Sequence, residues 1–153
     1  MRYFIGNWKM FGIPKSINIL KKINSFHSKD TNRNKYRVIL TPPYTLIESF
    51  AKYFKNKKIL IGSQNCYQKE QFSSNTAAVS PYMLRGVGAR YTLVGHSDNR
   101  GEGDTDSMLK DKVKYALKNN LKVVFCIGEN KFEKKKKKTF GVLKRQLTNV
   151  LEK

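Results

Sequence analysis

The stretch that decides the fold is Leu93-Val94-Gly95-His96-Ser97-Asp98-Asn99-Arg100, where an apolar segment runs into a cluster of polar and charged side chains. The residues from Tyr91 to Val94 are apolar or β-branched and predict a buried strand. In α/β proteins, chemistry collects at the carboxyl ends of strands, which makes His96 a candidate functional residue. The competing interpretation is that His96 is a solvent-exposed histidine with no functional role.

Four other apolar segments resemble this strand, and helical spacing of apolar residues follows each of the five. The predicted strands are residues 3–8, 36–40, 59–62, 91–94 and 121–127. The predicted helices are about 13–26, 46–54, 81–86, 106–117 and 140–151, and Asp104 or Thr105 is expected to cap the fourth. Strands that are apolar throughout are buried on both faces, which predicts a parallel α/β sheet.

Two architectures fit five consecutive β-α units: a doubly wound open sheet, or part of an eight-fold barrel. A GxGxxG phosphate-binding sequence after the first strand would favour the doubly wound sheet, and none is present. The long polar loop from Gln64 to Ala78 is typical of a functional loop or an interface arm.

Composition narrows the class of protein. A length of 153 residues is that of one domain. No apolar run approaches the ~20 residues that span a bilayer, and the first residues do not have the pattern of a secretory signal. Cys66 and Cys126 lie far apart in the sequence, without disulfide or metal-site spacing, which favours a reducing cytoplasm.

The formal net charge is +20, from 31 basic and 11 acidic residues. Such a charge attracts polyanions non-specifically and favours a phosphorylated substrate. The basic residues are mostly lysines spread along the chain, so we expect no specific nucleic-acid partner. The densest run, Lys134 to Lys138, is interpreted as solvated surface at the start of a helix.

Motifs at the ends of the predicted strands identify a family. They are Gly6-Asn7-Trp8-Lys9-Met10, Gln64-Asn65-Cys66, Thr76 with Val79-Ser80-Pro81, Val94-Gly95-His96-Ser97 and Cys126-Ile127-Gly128-Glu129. In this order and spacing, the chain resembles triosephosphate isomerase from residue 3 to its last residue. The resemblance implies a (βα)8 TIM barrel, incomplete here at about five βα units, with residues 1–153 forming the N-terminal portion of a single domain.

The resemblance also implies a reaction: interconversion of dihydroxyacetone phosphate and D-glyceraldehyde 3-phosphate through an enediol(ate), with no cofactor and no metal. His96 would be the catalytic electrophile, and the family is itself a well-known example of a histidine kept neutral by a helix N-terminus. Lys9 would place positive charge beside the phosphate and the developing oxyanion, and Asn7 would donate to the carbonyl oxygen. Ser97 and Asp98 would support them. From the residues alone, a turn asparagine and a solvated lysine are the competing interpretations.

Several positions differ from the family pattern. Asp98 stands where glutamate is common and is one methylene shorter. Asn99 and Ala78 stand where an arginine and a glutamate commonly pair, so both partners of that salt bridge are neutral here. Thr76 lies in the segment that resembles the intersubunit loop, which implies a homodimer. The family further implies an enzyme of glycolysis and gluconeogenesis in the cytoplasm, without a membrane partner.

Length is the largest difference from the family. An eight-fold barrel takes about 250 residues, and the family's catalytic base follows the sixth strand. We therefore expect strands 6–8 and the base to be absent from this sequence, and the chain to be a fragment that is inactive and aggregation-prone alone. Of the carboxylates near strand ends, Asp104 and Asp106 are interpreted as helix caps, and Glu102 and Glu129 remain. The alternative function is a non-catalytic basic half-barrel that binds nucleic acid or acts as a scaffold.

Overall fold

The computed structural model describes residues 1–55 and 58–151, which form five strands with helices between them. The strands are β1 (Arg2–Asn7), β2 (Tyr36–Thr41), β3 (Ile59–Ser63), β4 (Tyr91–Val94) and β5 (Lys122–Phe125). The helices are α1 (Ile17–Lys29), α2 (Tyr44–Phe54), α3 (Pro81–Gly86), α4 (Ser97–Gly101), α5 (Asp106–Lys118), α6 (Lys131–Lys135) and α7 (Thr139–Leu151). None of these helices is long and apolar enough to cross a membrane.

The strands pair in sequence order, from β1 to β5, and every pairing is parallel. A doubly wound sheet reverses its strand order at a switch point, whereas a barrel adds each new strand beside the previous one. The observed order therefore decides between the two predicted architectures in favour of a partial barrel. Parallel pairing also brings the carboxyl ends of all five strands to one edge of the sheet.

The hydrophobic core lies between the sheet and the helices that cover it. Buried side chains come from α1, α2, α3, α5 and α7, and they include Leu20, Leu46, Ile47, Phe50, Leu84, Leu109 and Val150. Apolar residues three or four apart on each helix produce this arrangement, because they fall on one face. Full burial of a side chain of this size contributes about 1.5–3 kcal/mol, so this layer fixes the strands relative to one another.

Strand β1 contradicts the prediction of strands buried on both faces. Tyr3 and Phe4 are 53% and 57% exposed, whereas Leu93 and Val94 of β4 are buried. The difference arises because β1 pairs with β2 on one side and with no described strand on the other. An apolar sequence therefore does not by itself ensure that a strand is buried. A strand at the edge of the described sheet, such as β1, remains exposed.

Several predicted boundaries are also wrong. The first helix begins at Ile17 instead of residue 13, because Pro14 opens a 3-10 turn that precedes it. The fifth strand is shorter than predicted, at Lys122–Phe125. The run from Lys134 to Lys138 does not start a helix: it ends α6 and links it to α7. The five-residue helices α4 and α6 are too short to produce a helical pattern and were not predicted.

A buried ion pair replaces one of the predicted helix caps. Thr105 caps α5 by accepting a hydrogen bond from the backbone of Met108, whereas Asp104 binds Lys112 through both carboxylate oxygens, at 2.7 and 2.8 Å. Lys112 is 3% exposed and also donates to Asn65 at 3.1 Å. Asp106 is the first residue of α5 and accepts a hydrogen bond from Asn149. Asp104 is therefore a structural group that neutralises a buried ammonium.

We predict that Lys112→Met destabilises the fold by about 3–5 kcal/mol, because it leaves the Asp104 carboxylate buried without its partner. Combining Lys112→Met with Asp104→Leu should recover much of this loss. The control is Lys52→Met, which breaks the exposed pair with Glu48 and should cost less than about 1 kcal/mol. Urea unfolding at low protein concentration measures all three, and equal losses for the two lysine variants would contradict the prediction.

We also predict that the 153-residue chain self-associates when it is expressed alone, because β1 exposes Tyr3, Phe4 and Ile5 along an unpaired edge. Analytical ultracentrifugation should detect oligomers whose size increases with concentration. A monodisperse monomer that melts cooperatively would contradict this.

Candidate active site

The carboxyl ends of β1, β3 and β4 surround an open cleft of about 340 Å3. Four of the predicted site residues, Asn7, Lys9, His96 and Asp98, line it. The other lining residues are Met10, Tyr44, Gln64, Asn65, Asn99 and Glu102. Residues that lie 89 positions apart in the sequence, such as Lys9 and Asp98, therefore meet in one place.

Lys9 is held in an unfavourable backbone conformation. Its φ of 55° lies in the left-handed region, which a residue with a side chain rarely adopts. The side-chain oxygen of Asn7 accepts a hydrogen bond from the Lys9 backbone N–H at 2.9 Å. The amide nitrogen of Gln64 donates to the Lys9 carbonyl and to the Thr41 carbonyl, both at 2.8 Å. These contacts fix the turn that aims the lysine across the cleft.

The imidazole of His96 is oriented by the start of α4. Its Nδ1 accepts a hydrogen bond from the backbone N–H of Asp98 at 3.2 Å, and His96 is the N-cap of this helix. A ring nitrogen that accepts from a backbone amide carries no proton, so this network assigns the proton of the neutral ring to Nε2. Nε2 lies 3.3 Å from Nζ of Lys9. Two hydrogen-bond donors thus converge at one point of the cleft.

Asp98 links the two donors. Its carboxylate accepts from Nζ of Lys9 at 2.7 Å and lies 3.6 Å from Nδ1 of His96. The hydrogen bond from Lys9 holds the pKa of the Asp98 carboxyl below its usual range, and a hydrogen bond from Ser97 acts in the same direction. The shorter aspartate therefore still reaches the lysine, and it is ionised at neutral pH.

Gly95 and Arg100 build the turn that carries His96. Gly95 has a φ of 76°, and a Cβ there would lie 2.9 Å from the Arg100 guanidinium and 3.1 Å from the Cys126 carbonyl. Arg100 donates to the Gly95 carbonyl at 2.8 Å and to the Cys126 carbonyl at 3.3 Å. A glycine is required because both its conformation and the space around it exclude a side chain.

The structure does not bring every predicted residue into the cleft. Thr76 lies in an exposed loop segment away from it. Ser97 lines a neighbouring cavity with Glu129, at the ends of β4 and β5. Among the four carboxylates considered in the sequence, Glu102 lines the cleft, and it is exposed. In residues 1–55 and 58–151, no three histidine, cysteine or acidic side chains form a group that could hold a metal ion.

Sequence reasoning missed the contribution of Gln64. Its motif was noted as a strand end, but no role was predicted for its side chain. The available signal was a polar residue directly after a buried parallel strand, which places it beside the other strand ends. The buried Lys112 gave no such signal, because a lysine in a predicted helix is ordinarily solvent-exposed.

Comparison with known proteins places this chain in a family. The family model described as triosephosphate isomerase matches residues 2–153. The chain belongs to the triosephosphate isomerase family. It is 36% identical over 149 residues to the triosephosphate isomerase of Bacteroides fragilis, covering 96% of this chain and 58% of that protein. It is 33% identical over 153 residues to the Saccharomyces cerevisiae enzyme, covering 98% and 60%.

A solved structure agrees with the family assignment. The crystal structure of triosephosphate isomerase from Bartonella henselae superposes with a TM-score of 0.90 at 29% identity, over 97% of this chain and 61% of that one. The partial-barrel fold predicted from the sequence is thereby confirmed. The chain spans less than two thirds of the length of these family members.

We predict that the carboxyl of Asp98 titrates below the usual aspartate pKa and that Lys9→Met moves its pKa upward, because the ammonium no longer stabilises the charged form. Carbon-detected NMR titration of the carboxyl group measures both values. The ion pair stabilises the fold above the unfolded-state pKa, near 4, and this contribution is lost as the pH falls through the lower folded-state value. An Asp98 pKa that does not change in Lys9→Met would contradict the assignment of Lys9 as its partner.

Proposed function

We propose that this chain forms the electrophilic half of a triosephosphate isomerase active site, in an enzyme that interconverts dihydroxyacetone phosphate and D-glyceraldehyde 3-phosphate. The observation that carries the proposal is the convergence of Nε2 of His96 and Nζ of Lys9, 3.3 Å apart, in a cleft at the carboxyl ends of the strands. Family membership supports the reaction and its triose phosphate substrate.

The mechanism follows from where negative charge develops. Removal of a proton beside a carbonyl group leaves an enediolate, whose oxygen atoms carry the charge that must be stabilised. Nε2–H of His96 and Nζ of Lys9 both donate, so a substrate oxygen between them accepts from both and relieves the close approach of the two donors. The Asn7 oxygen already binds the Lys9 backbone, which leaves its amide NH2 free to donate to the substrate.

The neutral histidine is held ready for this role. Because Nδ1 is occupied by the Asp98 backbone N–H, the ring keeps its proton on Nε2, where the substrate oxygen would lie. Lys9 supplies fixed positive charge for the phosphate and for the developing oxyanion. Asp98 holds the ammonium in position, so little reorganisation is required during the reaction.

The general base lies outside the residues that line this cleft. The reaction needs a carboxylate or another base beside the substrate carbon. Glu102 is exposed at the rim, and within residues 1–55 and 58–151 no side-chain hydrogen bond or ion pair orients its carboxylate. We assign residues 1–153 to the N-terminal portion of one barrel domain, whose remaining strands would supply the base. The length of the relatives supports this assignment.

The proposal includes a homodimer in the cytoplasm, acting in glycolysis and gluconeogenesis. The loop around Thr76 is exposed from residue 71 to 77 and presents a surface for a partner copy. Both cysteines are free thiols. Burial raises the pKa of the Cys66 thiol to about 11, so it stays protonated and unreactive, as suits a reducing compartment.

We predict that His96→Gln lowers turnover by about a hundredfold or more, because the variant loses the Nε2–H donor to the enediolate oxygen. The test joins residues 1–153 to the C-terminal part of the Bacteroides fragilis enzyme that follows the matched region. Coupled assays then measure kcat for the chimera and for its His96→Gln variant. His27→Phe is the control, because His27 packs in α1 against Tyr36 and does not line the cleft.

A chimera that is folded by circular dichroism yet has no isomerase activity would contradict the proposed function. An active chimera whose His96→Gln variant keeps the full kcat would remove His96 from its proposed role. Loss of activity in His27→Phe without loss of folding would show that the assay does not report on this cleft.

A further inference from the structure

The junction between α6 and α7 carries the densest positive charge of the chain. It contains six exposed lysines within residues 131–138, together with the exposed side chains of Phe132 and Phe140. We call this surface the lysine–phenylalanine patch, and its members are Lys131, Phe132, Lys134, Lys135, Lys136, Lys137, Lys138 and Phe140. The patch lies outside the cleft that holds His96, and the proposed isomerase reaction does not use it.

The charge of the patch is not balanced locally. In the described part of the chain, no carboxylate lies within ion-pair distance of any of the six ammonium groups. The nearest acidic residue in the sequence, Glu133, faces Arg145 at 3.5 Å and accepts the backbone N–H of Asn130. Glu133 therefore helps to hold α6 against α7 and leaves the lysines available to an external anion.

The two phenylalanines are the second feature of the patch. Phe132 is 64% exposed and Phe140 is 89% exposed. Nζ of Lys136 lies 4.3 Å from the centre of the Phe132 ring, a cation–π contact that keeps the ring on the surface beside the charge. Exposed aromatic side chains next to lysines are the pattern of a surface that lies in a membrane interface.

The composition favours a lipid surface over a nucleic acid. The free cations are all lysines, which bind phosphate as point charges, whereas the neighbouring Arg145 is engaged by Glu133. Specific nucleic-acid contacts use the planar arginine fork. Phenylalanine has no polar group and partitions into the boundary between headgroups and acyl chains. Binding at a lipid surface does not require a spanning segment, so it is compatible with the finding that no described helix is long and apolar enough to cross a membrane.

We infer that the lysine–phenylalanine patch binds anionic phospholipid surfaces, with the lysines contacting headgroup phosphates and the two phenylalanines inserted at the interface. The attractions of the six lysines to an anionic surface add together when the lysines lie close to it, and salt screens them. The binding is peripheral and reversible, and no residue of the patch lines the cleft that holds His96.

Vesicle flotation tests this inference with the chimera of residues 1–153 and the C-terminal part of the Bacteroides fragilis enzyme, because the 153-residue chain alone is expected to self-associate through the exposed β1 edge. The vesicles contain phosphatidylcholine alone or with about 30% phosphatidylserine. The charge variant replaces four patch lysines and keeps Lys136: K134Q, K135Q, K137Q and K138Q. The matched control removes the same charge from exposed lysines elsewhere: K15Q, K22Q, K29Q and K35Q. A third variant, F132S with F140S, keeps the charge.

The expected result is flotation with the anionic vesicles, little with neutral ones, and release at high salt. The charge variant should lose at least about tenfold in partition coefficient, and the phenylalanine variant about threefold or more, whereas the control stays near the parent chain. Equal losses in the charge variant and the control would overturn the inference, because net charge alone would then explain binding. Equal binding to neutral vesicles, or displacement from anionic vesicles by stoichiometric single-stranded RNA, would also overturn it.

Discussion

Parallel pairing of consecutive strands is the constraint on which the rest of the structure depends. It sends every strand in the same direction, so the residues that follow β1, β3 and β4 meet at one edge, although they are far apart in sequence. The helices make this possible by returning the chain to the start of the sheet and by covering its outer face with a continuous apolar layer. The cleft with Lys9 and His96 is a direct product of this geometry.

Most residues of the candidate site could be predicted from the ends of the predicted strands and from the family motifs. Asn7, Lys9, His96 and Asp98 all lie around one cleft, because each lies at or just after the carboxyl end of β1 or β4. The positions of the strands were predicted to within one to two residues at each end, since continuous apolar runs mark them clearly. The choice between a barrel and a doubly wound sheet needed the strand order, which local sequence patterns do not contain.

What could not be predicted depends on contacts distant in sequence. Asp104 has the composition and position of a helix cap, but it binds Lys112, and no local pattern indicates that this lysine is buried. The exposure of β1 depends on its position at the edge of the described sheet and not on its own composition. The lysine run after residue 133 contains no apolar residues whose spacing would mark a helix. The sequence therefore does not show that α6 ends within this run, or that Phe132 and Phe140 are exposed beside it.

The double hydrogen bond of Gln64 has a consequence for how this site tolerates change. One amide nitrogen ties the turn after β1 to the end of β2. Glutamate has almost the same shape, but it would set a carboxylate against two carbonyl oxygens and push the lysine-bearing turn away. A substitution that looks conservative is therefore among the most disruptive at this position, because it would displace Lys9 while leaving the Lys9 side chain itself unchanged.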